Sequence, residues 1–267
     1  MNGGLNAPPA RLRRRTLLAA GSVLGMGWAR SAFAGGLPDL VALAKQSVLP
    51  VGTYNATESP RFGFRGTGFV IGDGTLVVTN FHVLPLGADT SGGPRMAVMT
   101  ARSANEGQGR LARVVATDRL RDLALLQLEG PPLRPLLLAE AGAAREGQSI
   151  VLMGFPIGGA LGFSVVTHRG IVASITTAAL PAATASQLDP RALTKLREGN
   201  FELLQLDATA YPGNSGGPLL DAETGRVLGV VNMVLVKGSR ASALSNPTGI
   251  TYAVPVAYLH ELLRAPR

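Results

Sequence analysis

Three short motifs in this sequence carry side chains able to perform nucleophilic chemistry. The sharpest is Tyr211-Pro212-Gly213-Asn214-Ser215-Gly216-Gly217-Pro218-Leu219. A serine hydroxyl is a poor nucleophile unless a base removes its proton and backbone donors stabilise the oxyanion that its attack creates. Glycines on both sides of Ser215 allow a tight turn that points the Gly213 and Ser215 amides at one spot and leaves room for a carbonyl group. Thr79-Asn80-Phe81-His82-Val83-Leu84 puts a histidine at the end of an apolar strand, a suitable place for a base. Arg121-Asp122-Leu123-Ala124-Leu125-Leu126 opens another apolar strand with an acid. That acid would accept from the second ring nitrogen, which sets the tautomer and stabilises the imidazolium. Asp118 offers the same chemistry at a different register and reads as a loop residue. Taken singly, each motif has an ordinary explanation: a glycine-rich hairpin, a packed histidine, a solvated strand-end acid. Together they are far more specific.

The elements that must position these groups are mostly short strands. Gly66-Thr67-Gly68-Phe69-Val70-Ile71 and Gly74-Thr75-Leu76-Val77-Val78-Thr79 read as a hairpin turning at Gly72-Asp73-Gly74. Leu111 to Ala116 and Leu123 to Leu128 follow, divided by the charged Asp118-Arg119-Leu120-Arg121-Asp122 corner. Pro131-Pro132 and Pro135 then interrupt the chain and predict a linker between two halves. Beyond it, strands are expected at Gln148–Met153, Gly170–Ile175, Leu203–Leu206, Val227–Val234 and Ile250–Val254. A helix of about ten residues is expected near Asp39, and a terminal one from Val256 to Leu263. Asp189-Pro190 suits a helix start within an Ala/Thr-rich stretch, 176–199, that reads as an exposed insertion. Ten or so short strands in two halves predict an all-β fold of paired barrels.

Composition closes off other chemistries. The chain has 267 residues, 46% hydrophobic and 16% charged, with 34 glycines, 18 prolines and no cysteine. Cysteine-ligated zinc, iron–sulfur clusters, disulfides and thiol nucleophiles are therefore excluded. His82, His168 and His260 are too few for a histidine-rich metal site, so neither a metal nor any other cofactor is expected. The net charge of +8 is concentrated at the N-terminus. Residues 1–34 hold five of the 25 Lys+Arg and none of the 17 Asp+Glu, leaving 20 bases against 17 acids elsewhere. No basic run interleaved with aromatics remains, and nucleic-acid binding is not expected.

Residues 1–34 read as an export signal. Arg13-Arg14-Arg15 precedes an apolar stretch from Leu17 to Trp28, too short to span a bilayer, and Ala32-Phe33-Ala34 is a small-x-small cleavage site before Gly35. The twin arginines and the glycine-diluted apolar stretch resemble a twin-arginine (Tat) signal. The expected mature protein acts in the periplasm or outside the cell, without stable membrane insertion.

The chain order His82, Asp122, Ser215 is that of the chymotrypsin group. With Gly66-Thr67-Gly68-Phe69-Val70-Ile71 and Gly249-Ile250-Thr251-Tyr252-Ala253-Val254-Pro255, the motifs resemble, in order, those of the trypsin-like serine proteases of the HtrA/Deg type. The resemblance runs from about Leu37 to Leu263. It implies two six-stranded antiparallel β-barrels with short N- and C-terminal helices. The N-barrel would occupy about 48–132, the C-barrel about 136–255 and the last helix 256–263. It also implies a catalytic triad of His82, Asp122 and Ser215, and an oxyanion hole from the backbone of Gly213, Asn214 and Ser215. In that family the residue six before the nucleophile, here Thr209, lies at the base of the P1 pocket, and Asn232, Met233 and Val234 line a wall. None is acidic, so small or medium apolar P1 residues are expected rather than Arg or Lys.

Two departures stand out. HtrA proteins usually carry C-terminal PDZ domains, whereas this sequence stops shortly after its last strand, so PDZ regulation is not expected and trimer formation has no support. The 176–199 stretch has no counterpart and reads as a lid, an oligomer contact or a tolerated surface loop. The leading expectation is an exported serine endopeptidase acting on unfolded or damaged proteins. A non-hydrolytic binder or chaperone-like protein on the same scaffold is the alternative, and an acyl hydrolase using the same machinery is a third.

Overall fold

Phe69, Val70 and Ile71 are all within 1% of complete burial, and so are Leu123, Ala124, Leu125 and Leu126. Strands buried on both faces lose the alternation of a half-exposed strand and read as unbroken apolar runs. In this computed structural model, Phe69, Ile71, Val78 and Leu125 join a large core shared with Leu152, Leu204, Val230 and Leu259 from the second half of the chain. Their neighbours Val70, Val77 and Leu126 turn the other way, into a cluster with Leu49, Val51 and Val98. The structure describes residues 1, 36–85, 95–100, 109–156, 163–177, 201–232 and 250–265. The expected export signal, the Asp189-Pro190 helix and nearly all of the 176–199 stretch lie outside the described residues.

The first six strands are β1 (Val48–Tyr54), β2 (Phe62–Ile71), β3 (Leu76–Thr79), β4 (Arg95–Val98), β5 (Arg110–Asp118) and β6 (Leu123–Leu128). They close into an antiparallel barrel in the order β1-β2-β3-β6-β5-β4. The second six are β7 (Ser149–Gly154), β8 (Val166–Thr177), β9 (Glu202–Asp207), β10 (Pro218–Asp221), β11 (Val227–Asn232) and β12 (Ile250–Pro255). They close in the order β10-β11-β12-β9-β8-β7. Helix α1 (Leu37–Ala44) buries Leu40 and Ala44, and helix α2 (Val256–Arg264) buries Val256, Leu259 and Leu262. Among the described residues the fold is all-β with two short α-helices. Thr176 and Thr177 belong to β8, so the strand runs two residues into the expected insertion.

Sequence reading missed β1, β4 and β10. Pro50 and Gly52 punctuate β1, but the strand is paired on both sides, to β2 and to β4, and this pairing overrides the local signal. β4 and β10 have four residues each, too few for a periodic pattern.

The proline-rich linker stitches the barrels together. Leu133 and Leu136 donate their amides to Gly74 O and Val70 O of the first barrel, each at 2.8 Å. Ala139 then donates to Val227 O at 2.9 Å, and Val227 donates back to Leu137 O at 2.8 Å. Gly74 has φ +90°, and a Cβ there would lie 2.1 Å from Leu133 O, so the first stitch needs glycine.

The β10–β11 turn is organised by Asp221, whose Oδ1 accepts the amides of Glu223 (2.8 Å) and Thr224 (2.6 Å) and the Thr224 hydroxyl (3.0 Å). Gln148, at the entry to β7, donates to Oδ2. Burial by itself would raise this carboxyl, but the donors from Thr224, Gln148 and Glu223 outweigh it and hold the group below the usual carboxylate range. A carboxyl depressed by folding adds stability above its unfolded pKa, and that contribution is lost as the pH falls through the folded value. Asp221→Asn is therefore expected to lower stability at neutral pH and to flatten its decline in acid. Urea unfolding midpoints across a pH series check this.

Candidate active site

The Ser215 turn is anchored to the opposite barrel by Thr67, a fully buried residue of β2. The Thr67 amide donates to Ser215 O at 2.8 Å, and its hydroxyl donates to Gly213 O at 2.6 Å. The same hydroxyl accepts the Phe155 amide at 3.1 Å, while Thr67 O accepts the Thr79 hydroxyl at 2.7 Å. Within the turn, Asn214 donates its amide to Tyr211 O and Gly217 donates to Asn214 O, both at 3.0 Å. Gly216 (φ +84°) donates to Val231 O at 2.9 Å. A Cβ on Gly216 would lie 2.1 Å from Thr67 O and 2.4 Å from Thr79 Oγ1, so no larger residue lets the turn approach this closely. The same position is 3.1 Å from the Asn80 amide, which puts the turn against the segment that carries His82. Ser215 is 6% exposed, not the freely exposed hydroxyl that a loop motif suggests.

His82 sits in a single 3-10 turn, Phe81–Val83, directly after β3. Its Nδ1 is 2.6 Å from Asp122 Oδ2, and its amide donates to Asp122 Oδ1 at 2.8 Å. An ionised carboxylate only accepts, so the contact is a hydrogen bond when Nδ1 carries the proton, which leaves the Nε2 lone pair for another donor. Asp122 O accepts the Phe81 amide at 3.1 Å and Asn80 Nδ2 at 2.9 Å. Asp122 has φ +56°, the left-handed region that non-glycine residues seldom occupy. Asp118 does not compete for this role. Its two carboxylate oxygens hold Arg121, accepting the amide at 3.0 Å and Nη1 at 3.1 Å.

The remaining expected site residues divide. Thr209 is half-buried ahead of the turn. Asn232, expected on a pocket wall, is 2% exposed and donates Nδ2 to Asp122 Oδ2 at 2.9 Å across the seam. Its side chain therefore supports the acid. Met233 and Val234 lie outside the described residues. The Asn214 amide is turned back to Tyr211, so among the oxyanion residues expected from sequence Asn214 is not a donor into the site. The Gly213 amide has no acceptor among the described residues. His168 stacks obliquely on Tyr211 with ring centres 6.0 Å apart, and burial pushes its imidazole down from the ordinary value. His260 Nε2 lies 2.8 Å from Ala139 O on the linker.

Sequence reasoning overlooked Thr67, Asn80 and Asn232 as supports. Asn80 was signalled by its place beside His82. Thr67 lies in a motif read only as a strand. Nothing local marks Asn232, whose partner is 110 residues away. Thr67→Val keeps shape while removing the hydroxyl that serves Gly213 O and Phe155 N. It is expected to cost about 1–3 kcal/mol, the penalty for leaving buried groups unpaired, and to reduce labelling of Ser215 by a fluorophosphonate. Denaturant unfolding and labelling rates check both effects.

Comparison with known proteins places this fold in a family. The Trypsin-like peptidase domain family matches residues 66–230. The chain is 28% identical over 212 residues to a probable periplasmic serine endoprotease DegP-like of Halomonas elongata, covering 79% of this chain and 38% of that protein. It is 30% identical over 198 residues to the putative serine protease HhoA of Synechocystis sp., covering 73% and 41%. The chain thus spans about two-fifths of the length of these curated relatives. Among solved structures, Deg5 superposes with a TM-score of 0.57 at 24% identity, covering 84% of this chain and 90% of that one, a likeness of fold. With two closed barrels and a family match across their seam, the chain belongs to the trypsin-like peptidase domain family, and the relatives it resembles are serine proteases of the DegP and HhoA kind.

Proposed function

We propose that this protein is a serine endopeptidase, exported to the periplasm, that cleaves unfolded or damaged proteins after small or medium apolar residues. The observation that carries the reading is the 2.6 Å contact between His82 Nδ1 and Asp122 Oδ2, on the same barrel edge to which the Ser215 turn is hydrogen-bonded. Ser215 Oγ attacks the scissile carbonyl while His82 Nε2 takes its proton. Asp122 stabilises the imidazolium so formed, and Asn80, Phe81 and Asn232 hold Asp122 in place. The carbonyl electron pair moves to oxygen, and the oxyanion is received by the Gly213 and Ser215 amides. An amide already free of protein acceptors, as Gly213's is among the described residues, supports that role. Collapse expels the amine, which takes its proton from His82 and leaves an acyl-enzyme on Ser215. Water, activated by the same imidazole, then hydrolyses the ester.

An apolar P1 preference is supported by the absence of acid at Thr209, Met233 and Val234. Export is supported by the arginine-led N-terminal stretch and by relatives named as periplasmic. The test is digestion of unfolded casein by the purified protein, with Ser215→Ala as its control. Turnover should fall by several orders of magnitude in the variant, with stability changed by less than about 1 kcal/mol. Cut sites should follow small apolar residues. Residual cleavage by pure Ser215→Ala would show that another group is the nucleophile. A folded parent protein that neither cuts casein nor accepts a fluorophosphonate would make the scaffold a binder.

A further inference from the structure

The corner that delivers Asp122 is gripped from its outer side by the last helix. Arg121, the residue before Asp122, pairs its Nη1 with Asp118 Oδ2 at 3.1 Å and with Glu261 Oε2 of α2 at 2.9 Å. Its guanidinium carbon lies 4.2 Å over the ring of Tyr258, one helical turn before Glu261. The Tyr258 hydroxyl accepts the Glu202 amide at the start of β9 (2.9 Å), and its ring stands edge-on to Phe201 at 6.0 Å. α2 is itself fixed by buried Leu259 and Leu262 and by the His260 contact with the linker. Arg121 is therefore held between its own corner and an element packed on the second barrel.

Asp122 keeps a backbone conformation that persists only where its surroundings over-determine it. On the cleft side its constraints are the five hydrogen bonds it accepts, from Phe81, Asn80, Asn232 and twice from His82. On the outer side the constraint is Arg121. A lone, partly exposed ion pair contributes little to stability. A planar guanidinium shared by two carboxylates and stacked on a ring nevertheless has a defined orientation. Asp118, whose Oδ2 the fork holds, accepts the Arg121 amide through its Oδ1 at 3.0 Å, so orienting the Asp118 carboxylate also fixes the peptide that leads into Asp122. We infer that Arg121 is a positioning residue for the triad, and that α2, through Tyr258 and Glu261, sets the angle at which Asp122 meets His82. The effect on turnover rests on the triad reading above, whereas the effect on the His82–Asp122 hydrogen bond does not.

The experiment uses the full chain with three variants. Arg121→Met keeps an aliphatic stem and removes the fork. Glu261→Lys places a second cation against Arg121 at a half-exposed position, and Glu261→Gln is the conservative control. Three readouts are taken: the low-field proton resonance of His82 Nδ1–H, kcat and KM separately, and thermal unfolding. In Arg121→Met and Glu261→Lys the resonance is expected to move or broaden. Their kcat should fall on the order of tenfold with KM little changed, the scale of effect that small misplacements produce. Glu261→Gln should stay near the parent in both. Folded variants with the parent's resonance and kcat would overturn the inference. So would a loss of activity matched by the unfolded fraction while the resonance stays put. If Arg121→Met does not fold, Glu261→Lys carries the test. If Ser215→Ala shows that Ser215 is not the nucleophile, the resonance alone decides: moved by these variants it sustains the clamp, unmoved it refutes it.

Discussion

One buried threonine has to serve both barrels at once. Thr67 lies on β2 of the first barrel, yet two of its hydrogen bonds hold the Ser215 turn of the second and a third receives Phe155 beyond β7. A buried polar group must find partners or incur a penalty of kcal/mol size. Satisfying Thr67 therefore fixes where the second barrel sits against the first. The glycine at 216 is the counterpart of this constraint, since any side chain there would collide with Thr67 O. Close approach and polar satisfaction are two aspects of the same contact.

A second constraint acts on Asp122. Its backbone is left-handed, and it accepts hydrogen bonds from residues on β11, on the His82 turn and at the end of β3. No single bond accounts for its position. Strain of this kind survives only where several elements converge, and such convergence is common where a carboxylate must hold one orientation without relaxing. Asn232 shows how widely the support is drawn, for it reaches from the last residue of its strand across the seam.

Much of this was legible along the chain. The unbroken apolar runs Phe69–Ile71 and Leu123–Leu126 announced strands, and Gly72-Asp73-Gly74 announced the hairpin between β2 and β3. The serine turn, the histidine and the acid stood out because glycine, polar and apolar residues alternate there in ways that packing alone does not require. β1 was hidden by Pro50 and Gly52, because partners distant in sequence, not local propensity, hold it as a strand. β4 and β10 were too short to show a period.

The order of the candidate site residues, the absence of thiol chemistry, the all-β character and the turn chemistry around Ser215 follow from the sequence alone. Each depends on residue type and on neighbours a few positions away. Which groups hold the acid against His82, which amides of the turn are already engaged, and that Asn232 reaches the carboxylate from the second barrel were decided only by tertiary structure. On paper Asp118 offers the same chemistry as Asp122 and is set aside only as a loop residue. The fold separates them because Arg121 occupies one carboxylate while the strained backbone of the other turns it toward the imidazole. Hydrogen-bond direction and burial arise from contacts between residues as far apart in sequence as Thr67 and Ser215, and no local pattern encodes them.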